Sequence, residues 1–370
     1  MFAPATRGTE IYASAPRSES QLTRRERKQR RRELRRSRRK MLGFGLLLAL
    51  TLVVGVVALL FFLASANEDP VSRAQTPAAE PRLDPPAVQR ADLKTADRDS
   101  GGGPQNIRAS ITGGEEDSLR AELEKITEAY PGRYGVIVFD PSSDRTVSMD
   151  PDARFLAASL NKLPVLMALY RSAAAGTVDL DDPITMQASD VQAYGTGSLY
   201  LKPVGTTITL RECASYLIKE SDNTAWKMLD RYLGRDYIRS ELYAAGATST
   251  EYWIPNTTTP NDVLVMLEKI SDPSYTSPGL SAEMLDLMTN TDFEDRLPLP
   301  LPENTKVSHK IGSYGATFGD AGIVFPNGSN DVQDAYFIVV LVDETGEGTA
   351  RAAMQEMSLA SYRAFTEGGP

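Results

Sequence analysis

Two residues near the middle of the chain have the types and the spacing that nucleophilic catalysis requires. Ser159 and Lys162 form an S-x-x-K pattern within the apolar stretch FLAASLNKLPVLM, which runs from Phe155 to Met167. A helix that starts at Ser159 places both side chains on one face, one turn apart. A serine hydroxyl is a weak nucleophile, and a neutral amine within hydrogen-bond reach can take its proton. The pattern therefore predicts a serine nucleophile with a lysine base.

The S-x-x-K pattern is not specific by itself, because the chain contains it twice. Ser37 and Lys40 also match it, inside a dense run of basic residues. The alternative interpretation of Ser159 is a helix cap, and that of Lys162 is a solvated lysine. Their apolar surroundings favour catalysis, since a solvated lysine is out of place in such a stretch.

Two further motifs lie C-terminal to this stretch, and each has an ordinary structural alternative. The S-D-N motif at residues 221–223 consists of residue types that cap helix N-termini, so a cap is its simplest explanation. The K-I-G motif at residues 310–312 closes a predicted strand, where the glycine permits a close approach of backbone to a ligand. Its alternative is an edge-strand lysine before a turn. Neither motif identifies a function alone.

The composition excludes several classes of function. Residues 1–40 hold 14 Lys/Arg and 4 Asp/Glu, a formal charge of +10, which leaves −19 for the rest of the chain. So acidic a body is a poor nucleic-acid binder. The single cysteine, Cys213, excludes an intramolecular disulfide and a multi-cysteine metal site, and the single histidine, His309, excludes a histidine cluster. We therefore expect no metal, no cofactor and no nucleic-acid partner.

The N-terminal region predicts a membrane anchor. Leu42–Leu63 carries no charge and is long enough to cross the hydrocarbon core as a helix. The basic run before it is typical of a segment whose N-terminus stays in the cytoplasm. We expect a cytoplasmic tail (1–40), one transmembrane helix (41–64) in the cell membrane, and a body outside the cytoplasm. Ala64-Ser-Ala66 resembles a signal-peptidase site, but the length of the apolar segment favours an uncleaved anchor.

The remaining chain divides at about residue 115. Residues 65–114 are rich in Pro, Ala, Asp, Arg and Gly without an apolar period, which predicts a flexible stalk. Residues 115–370 show a helix, two strands, a helical middle, three strands and a final helix. This order predicts one α+β domain, whose antiparallel sheet takes strands from both ends of the sequence. The predicted strands are Tyr134–Asp140, Arg145–Met149, Lys306–Gly312, Gly322–Phe325 and Ala335–Val342.

The order of the three motifs is more specific than any one of them. S-x-x-K, then S-D-N, then K-x-G resembles the class A β-lactamases and the penicillin-binding proteins. Thr257-Thr-Thr-Pro260 is similar to the T-T-x-P segment of that family, and His309–Thr317 is similar to its K-T-G strand and turn. The resemblance spans about Glu115 to Thr366. It implies a β-lactamase-like fold, with the sheet beside a helical subdomain.

The resemblance also implies roles for the matching residues. It assigns the acylation chemistry to Ser159 as nucleophile, Lys162 as base, Ser221 as proton relay, Asn223 as the partner of the substrate amide, and Lys310 as the partner of the substrate carboxylate. The oxyanion hole would be formed by the backbone N–H groups of Ser159 and of Ser313, the residue after Gly312. A neutral Lys162 requires burial and a nearby positive charge, which Lys310 could supply.

Two departures from the family pattern qualify the implied activity. The segment 246–256 is too short for a full omega loop and lacks the E-x-x-L-N motif, whose glutamate activates the deacylating water. Glu251 is the only carboxylate in that segment and is the candidate deacylation base. Ile311 stands where the family has Thr or Ser, so a hydroxyl that would bond the substrate carboxylate is missing.

We therefore expect a serine hydrolase that forms an acyl-enzyme with β-lactams or peptidoglycan stem peptides and releases it slowly. The alternative is a non-catalytic cell-envelope module that keeps the fold and binds peptidoglycan or a partner. The five matching side chains count against this alternative, since binding alone does not need all of them.

Overall fold

The computed structural model describes residues 113–366, except residues 327 and 330. Its strands are β1 Arg133–Asp140, β2 Arg145–Met149, β3 Phe155–Leu156, β4 Pro183–Thr185, β5 Thr207–Thr209, β6 Thr257–Thr258, β7 Lys306–Tyr314, β8 Thr317–Phe325 and β9 Tyr336–Asp343. Its helices are α1 Gly113–Ala129, α2 Leu163–Ala174, α3 Leu210–Lys219, α4 Asn223–Leu233, α5 Arg235–Ala244, α6 Pro260–Ser271, α7 Pro278–Leu287 and α8 Glu347–Thr366. A 3₁₀ turn at Ala158–Lys162 precedes α2.

The predicted N-terminal segments lie almost entirely outside these residues. The cytoplasmic tail, the transmembrane helix and the stalk up to residue 112 are not among them. Of the helices that the structure describes, none combines the length and the apolar character needed to cross a membrane. The predicted stalk ends at residue 114, whereas α1 already begins at Gly113.

A five-stranded antiparallel sheet joins the two ends of the described chain. Its strand order is β2-β1-β9-β8-β7, so the first strand of the domain pairs with the last one. This order confirms the predicted α+β fold with a sheet built from both ends. The strand β7 lies at one edge of the sheet and pairs with β8 on one side only. On its other side, Ser308 forms an isolated bridge with Thr289 and His309 N donates to the Met288 carbonyl oxygen at 2.9 Å, so only the C-terminal part of this edge is left without a neighbouring strand.

Both faces of the sheet are covered, which explains why a central strand such as β9 is a continuous apolar run. Side chains alternate between the two faces of a strand. In β9, Phe337, Val339 and Leu341 belong to the core beneath the middle helices. The residues between them, Ile338, Val340 and Val342, belong to the core beneath α1 and α8. The middle helices α2 to α7 thus form a subdomain on one face of the sheet.

Several elements differ from the sequence prediction. The strand β8 covers Thr317–Phe325 rather than Gly322–Phe325, and the short strands β3 to β6 were not expected. The helix α7 was not expected, because Pro278–Leu287 has little apolar periodicity; it begins at Ser277, whose hydroxyl accepts a hydrogen bond from Leu280 N at 3.3 Å. The predicted helix beginning at Ser159 is a 3₁₀ turn as far as Lys162, and the α-helix begins only at Leu163. Since a 3₁₀ helix has three residues per turn, Ser159 and Lys162 still lie on one side.

Candidate active site

Ser159 lies in a strained turn that directly precedes the buried helix α2. The residue before it, Ala158, has a φ of +49°, a left-handed conformation that costs energy for a residue with a side chain. Below it, α2 is buried along most of its length, from Leu163 to Tyr170. Ser159 itself is partly exposed. The turn therefore presents a reachable hydroxyl on a buried, well-packed base.

The amine of Lys162 is held in the interior beside this hydroxyl. The side chain is only 3% exposed, and Nζ lies 3.0 Å from Ser159 Oγ. Nζ also lies 2.8 Å from the carbonyl oxygen of Ser221, 2.8 Å from Asn223 Oδ1 and 3.1 Å from Ser221 Oγ. A neutral amine has two hydrogens and one lone pair. The two acceptor oxygens can take the hydrogens, which leaves the lone pair for the Ser159 hydroxyl.

The pKa of Lys162 favours that neutral form. Burial lowers it to about 7, while the charge of Asp222 acts in the opposite direction. A lysine near this value is neutral in a large fraction of molecules at neutral pH. It can then serve as a general base, since a catalytic base works best with a pKa near the working pH.

The S-D-N motif provides both the helix cap and the site residues. Asp222 is the N-cap of α4, and its carboxylate accepts hydrogen bonds from Ala225 N at 2.8 Å and from Leu199 N at 2.7 Å. The capping interpretation of the motif is therefore correct for Asp222. It also fixes the flanking residues, because Ser221 and Asn223 both contact Lys162. One motif thus anchors the helix and completes the site.

Lys310 contacts Ser221 from the side of the sheet. It lies in β7, is 1% exposed, and places Nζ 2.9 Å from Ser221 Oγ and 3.1 Å from the Ile311 carbonyl oxygen. Burial, and then the charge of Lys162, lower the pKa of Lys310 well below its usual value. The hydroxyl of Ser221 therefore lies between two amines, and a proton can pass through it from either side.

Close packing brings the edge strand β7 against the turn that carries Ser159. A Cβ added at Gly312 would lie 2.7 Å from the carbonyl oxygen of Ala157 and 3.3 Å from Leu160 Cγ. No side chain fits in that space, so the glycine of the K-I-G motif is required by the contact between β7 and this turn. Ser313, the next residue, is exposed at the end of the strand.

Glu251 pairs with Thr257 through its backbone. Its N–H donates to the Thr257 carbonyl oxygen at 2.8 Å, next to β6. Within the described part of the chain, no hydrogen bond joins the Glu251 carboxylate to Ser159 or Lys162. Its assignment as a deacylation base therefore remains a prediction.

A cluster of charged side chains around His309 of β7 was not predicted from the sequence. His309 is fully buried and lies 2.8 Å from Asp320 through Nδ1 and 3.3 Å from Glu294 through Nε2. Burial opposes its charge, but the two carboxylates raise its pKa to about 9. Arg296 is buried nearby and donates to the carbonyl oxygen of Gly312 at 2.9 Å. The only available signal was one arginine in the otherwise apolar run RLPLPLP.

The pKa of Lys162 leads to a pH prediction. Lysine is charged below its pKa, so the fraction of free base falls about tenfold for each pH unit below 7. We expect the rate constant for acylation of Ser159 to rise between about pH 5 and pH 7 and then level off. Stopped-flow acylation between pH 5 and pH 9 measures this profile. A rate that is flat over that range, or one that is still rising steeply at pH 9, would contradict the assignment of Lys162 as base.

Comparisons with known proteins agree with this geometry. Residues 118–365 match the model of the beta-lactamase enzyme family. Beta-lactamase VEB-1 from Pseudomonas aeruginosa is 26% identical over 262 residues, which cover 62% of this chain and 84% of that protein. Beta-lactamase AST-1 from Nocardia asteroides is 31% identical over 257 residues, covering 63% and 79%.

Solved structures show the same fold. PBP-A is 26% identical, with a TM-score of 0.62 over 67% of this chain and 96% of that chain. A mutant of PBP-A solved as an acyl-enzyme complex with penicillin G is 27% identical, with a TM-score of 0.62 over 68% and 97%. With a serine, two lysines and a capping S-D-N motif converging in this fold, and a family match over residues 118–365, the chain belongs to the beta-lactamase enzyme family.

Proposed function

We propose that the protein is a serine hydrolase in which Ser159 becomes acylated by β-lactams or by peptidoglycan stem peptides, with Lys162 as the acylation base. The observation that carries this proposal is the contact of 3.0 Å between a buried lysine amine and a partly exposed serine hydroxyl. The names of the relatives support the same class of reaction, since they include beta-lactamases and a penicillin acyl-enzyme.

In the proposed acylation, a proton passes from Ser159 to Lys162, and Ser221 relays a proton from Lys162 to the leaving nitrogen. Ser159 Oγ attacks the carbonyl carbon while its proton passes to the lone pair of Lys162. The carbonyl oxygen becomes an oxyanion, which the backbone N–H groups of Ser159 and Ser313 stabilise. The C–N bond then breaks, and the leaving nitrogen takes a proton from the Ser221 hydroxyl. Lys162, 3.1 Å from that hydroxyl, returns the proton it accepted.

Deacylation is the slow step in this proposal. Water must attack the Ser159 ester, and it needs a base that reaches the ester carbonyl. The segment before β6 lacks the E-x-x-L-N motif, and its single carboxylate, Glu251, shows no hydrogen bond to Ser159 or Lys162 within the described residues. The acyl-enzyme should therefore persist, as in a penicillin-binding protein.

Time-resolved intact-mass measurement with a fluorescent penicillin tests the proposal on the full-length chain. We expect an adduct of one penicillin that is lost slowly, and no adduct with Ser159→Ala. An equal adduct on Ser159→Ala would place the acylation elsewhere.

The lifetime of the adduct tests deacylation. If the adduct is lost rapidly and the loss slows in Glu251→Gln, Glu251 is the deacylation base. If the rapid loss is unchanged in Glu251→Gln, that residue is excluded. No adduct with any acylating probe, together with peptidoglycan binding unaffected by Ser159→Ala, would favour the non-catalytic module.

The location is also part of the proposal. The uncharged segment Leu42–Leu63 and the basic run before it support a single-pass anchor in the cell membrane, with the enzyme domain outside the cytoplasm. Protease treatment of intact cells tests this arrangement. The domain should be degraded from outside while the N-terminal tail is protected, and protection of both would contradict it.

Ile311 leads to a prediction about substrate recognition. A hydroxyl at this position could hydrogen-bond the substrate carboxylate, and such a bond to a charged group contributes about 1.5–3 kcal/mol. We expect Ile311→Thr to raise the acylation efficiency of penicillin about 10- to 150-fold, with little gain for its methyl ester. Ile311→Val is the matched control, because it keeps the branched shape without a hydroxyl. Equal gains with Val, or with the ester, would contradict the explanation.

A further inference from the structure

We propose that Arg296 is a positioning residue for the oxyanion hole, holding the end of β7 where the Ser313 N–H can reach the substrate carbonyl. The inference rests on the proposed function, since it concerns the acylation of Ser159. Arg296 lies between α7 and β7 and is only 4% exposed. Its guanidinium donates to the carbonyl oxygen of Gly312 at 2.9 Å, to that of Gly319, and to the hydroxyl of Ser313.

These three contacts tie the edge strand to its neighbour. Gly312 in β7 and Gly319 in β8 face each other in the sheet register, so one guanidinium bonds both strands at the same level. The planar guanidinium holds its donors in a fixed arrangement, which a lysine cannot reproduce. The last two residues of β7 after this point are exposed to solvent, and Tyr314 is 72% exposed. The guanidinium therefore holds the last buried position of an edge strand.

Arg296 is buried close to a carboxylate. Burial lowers the pKa of Arg296, and the charge of Asp320, which is fully buried in β8, acts in the opposite direction. Its carboxylate also accepts a hydrogen bond from Leu297 N at 3.1 Å and lies 2.8 Å from His309 Nδ1. Burial of a guanidinium and a carboxylate carries a large desolvation cost. A requirement for a fixed backbone position at the end of β7 is consistent with keeping both groups in spite of that cost.

The position that Arg296 fixes is the one on which the proposed chemistry depends. Gly312 packs against Ala157, and Ser313 follows it directly. A displacement of about 1 Å in an active site can cost about 10²-fold in rate, and loss of one oxyanion donor costs about 10²- to 10³-fold. Release of the strand end should therefore reduce acylation while leaving Ser159 and Lys162 in place.

Two readouts on the full-length chain test this role. The first separates the acylation rate constant from the dissociation constant for penicillin by stopped-flow. The second is the stretching frequency of the acyl carbonyl in infrared difference spectra, which rises when hydrogen bonds to its oxygen weaken. For Arg296→Lys we expect an acylation rate about 10- to 100-fold lower and a higher carbonyl frequency, with a nearly unchanged dissociation constant. The matched control is Arg351→Lys in α8, a half-buried arginine that lies 3.5 Å from Asp295, for which neither readout should change.

The outcomes distinguish the inference from its alternatives. Unchanged rate and frequency in Arg296→Lys would overturn it. So would a weaker binding of penicillin, but not of its methyl ester, at an unchanged acylation rate, because Arg296 would then bind the substrate carboxylate. If Arg296→Lys does not fold, Ser313→Ala decides, since it removes one partner of the guanidinium and keeps the N–H: a smaller shift in the same direction supports the role, and no shift overturns it. If the wild type forms no adduct, the proposed function fails and this inference fails with it.

Discussion

Replacement of Lys162 by methionine is expected to reduce the acylation rate of Ser159 by about 10²- to 10⁴-fold, the range that general base catalysis contributes. Methionine fills a similar volume but cannot accept the serine proton. The buried amine lies 3.0 Å from Ser159 Oγ. Among the residues that the structure describes, no other side chain makes a hydrogen bond with that hydroxyl. Stopped-flow acylation of the full-length chain with a fluorescent penicillin measures the loss.

The control for this prediction is Lys125→Met in α1, which removes a lysine whose side chain is 72% exposed. It should acylate at the wild-type rate. Thermal melting of both variants checks that they fold. A Lys162→Met variant that keeps more than a tenth of the wild-type rate would show that another group, such as Lys310, takes the proton.

The positions of the residues proposed for acylation could be anticipated from the sequence because their motifs also serve local structure. The S-D-N motif caps α4 through Asp222, and this cap fixes where Ser221 and Asn223 lie. The structure also shows what brings the motifs together: Gly312 allows β7 to pack against Ala157, which sets Lys310 beside Ser221.

Other parts of the site depend on contacts between residues far apart in the sequence. Arg296 bonds Gly312 and Gly319, and Asp320 contacts His309. No local pattern marks such pairs, because strand register and the crossing of the connecting segment decide which carbonyl oxygens face the arginine. The same limit applies to Glu251, whose backbone pairing could not be inferred from its position before the T-T-x-P segment.

All five strands of the sheet were predicted from the sequence, although only Gly322–Phe325 of β8 was expected. Continuous apolar runs such as YFIVVLV in β9 indicate strands that are buried on both faces. The position of β1 beside β9 follows from the layered α+β arrangement. By contrast, α7 depends on tertiary burial of Met284 and Leu285 rather than on a strong apolar period of its own, and the 3₁₀ turn at Ala158 depends on a left-handed backbone that the sequence does not signal.

Replacement of Gly312 by alanine should affect catalysis more than folding, and it tests the contact on which the site depends. The added Cβ would lie 2.7 Å from the Ala157 carbonyl oxygen, so either β7 or the turn that carries Ser159 must move. We expect acylation to fall about 10²- to 10³-fold through displacement of the oxyanion donors, with a loss of about 1–3 kcal/mol in stability from overpacking. Gly279→Ala in α7 is the matched control, because its Cβ meets nothing within 4 Å and alanine favours a helix. Wild-type acylation by Gly312→Ala, measured by stopped-flow beside the control, would show that β7 does not position the reacting groups.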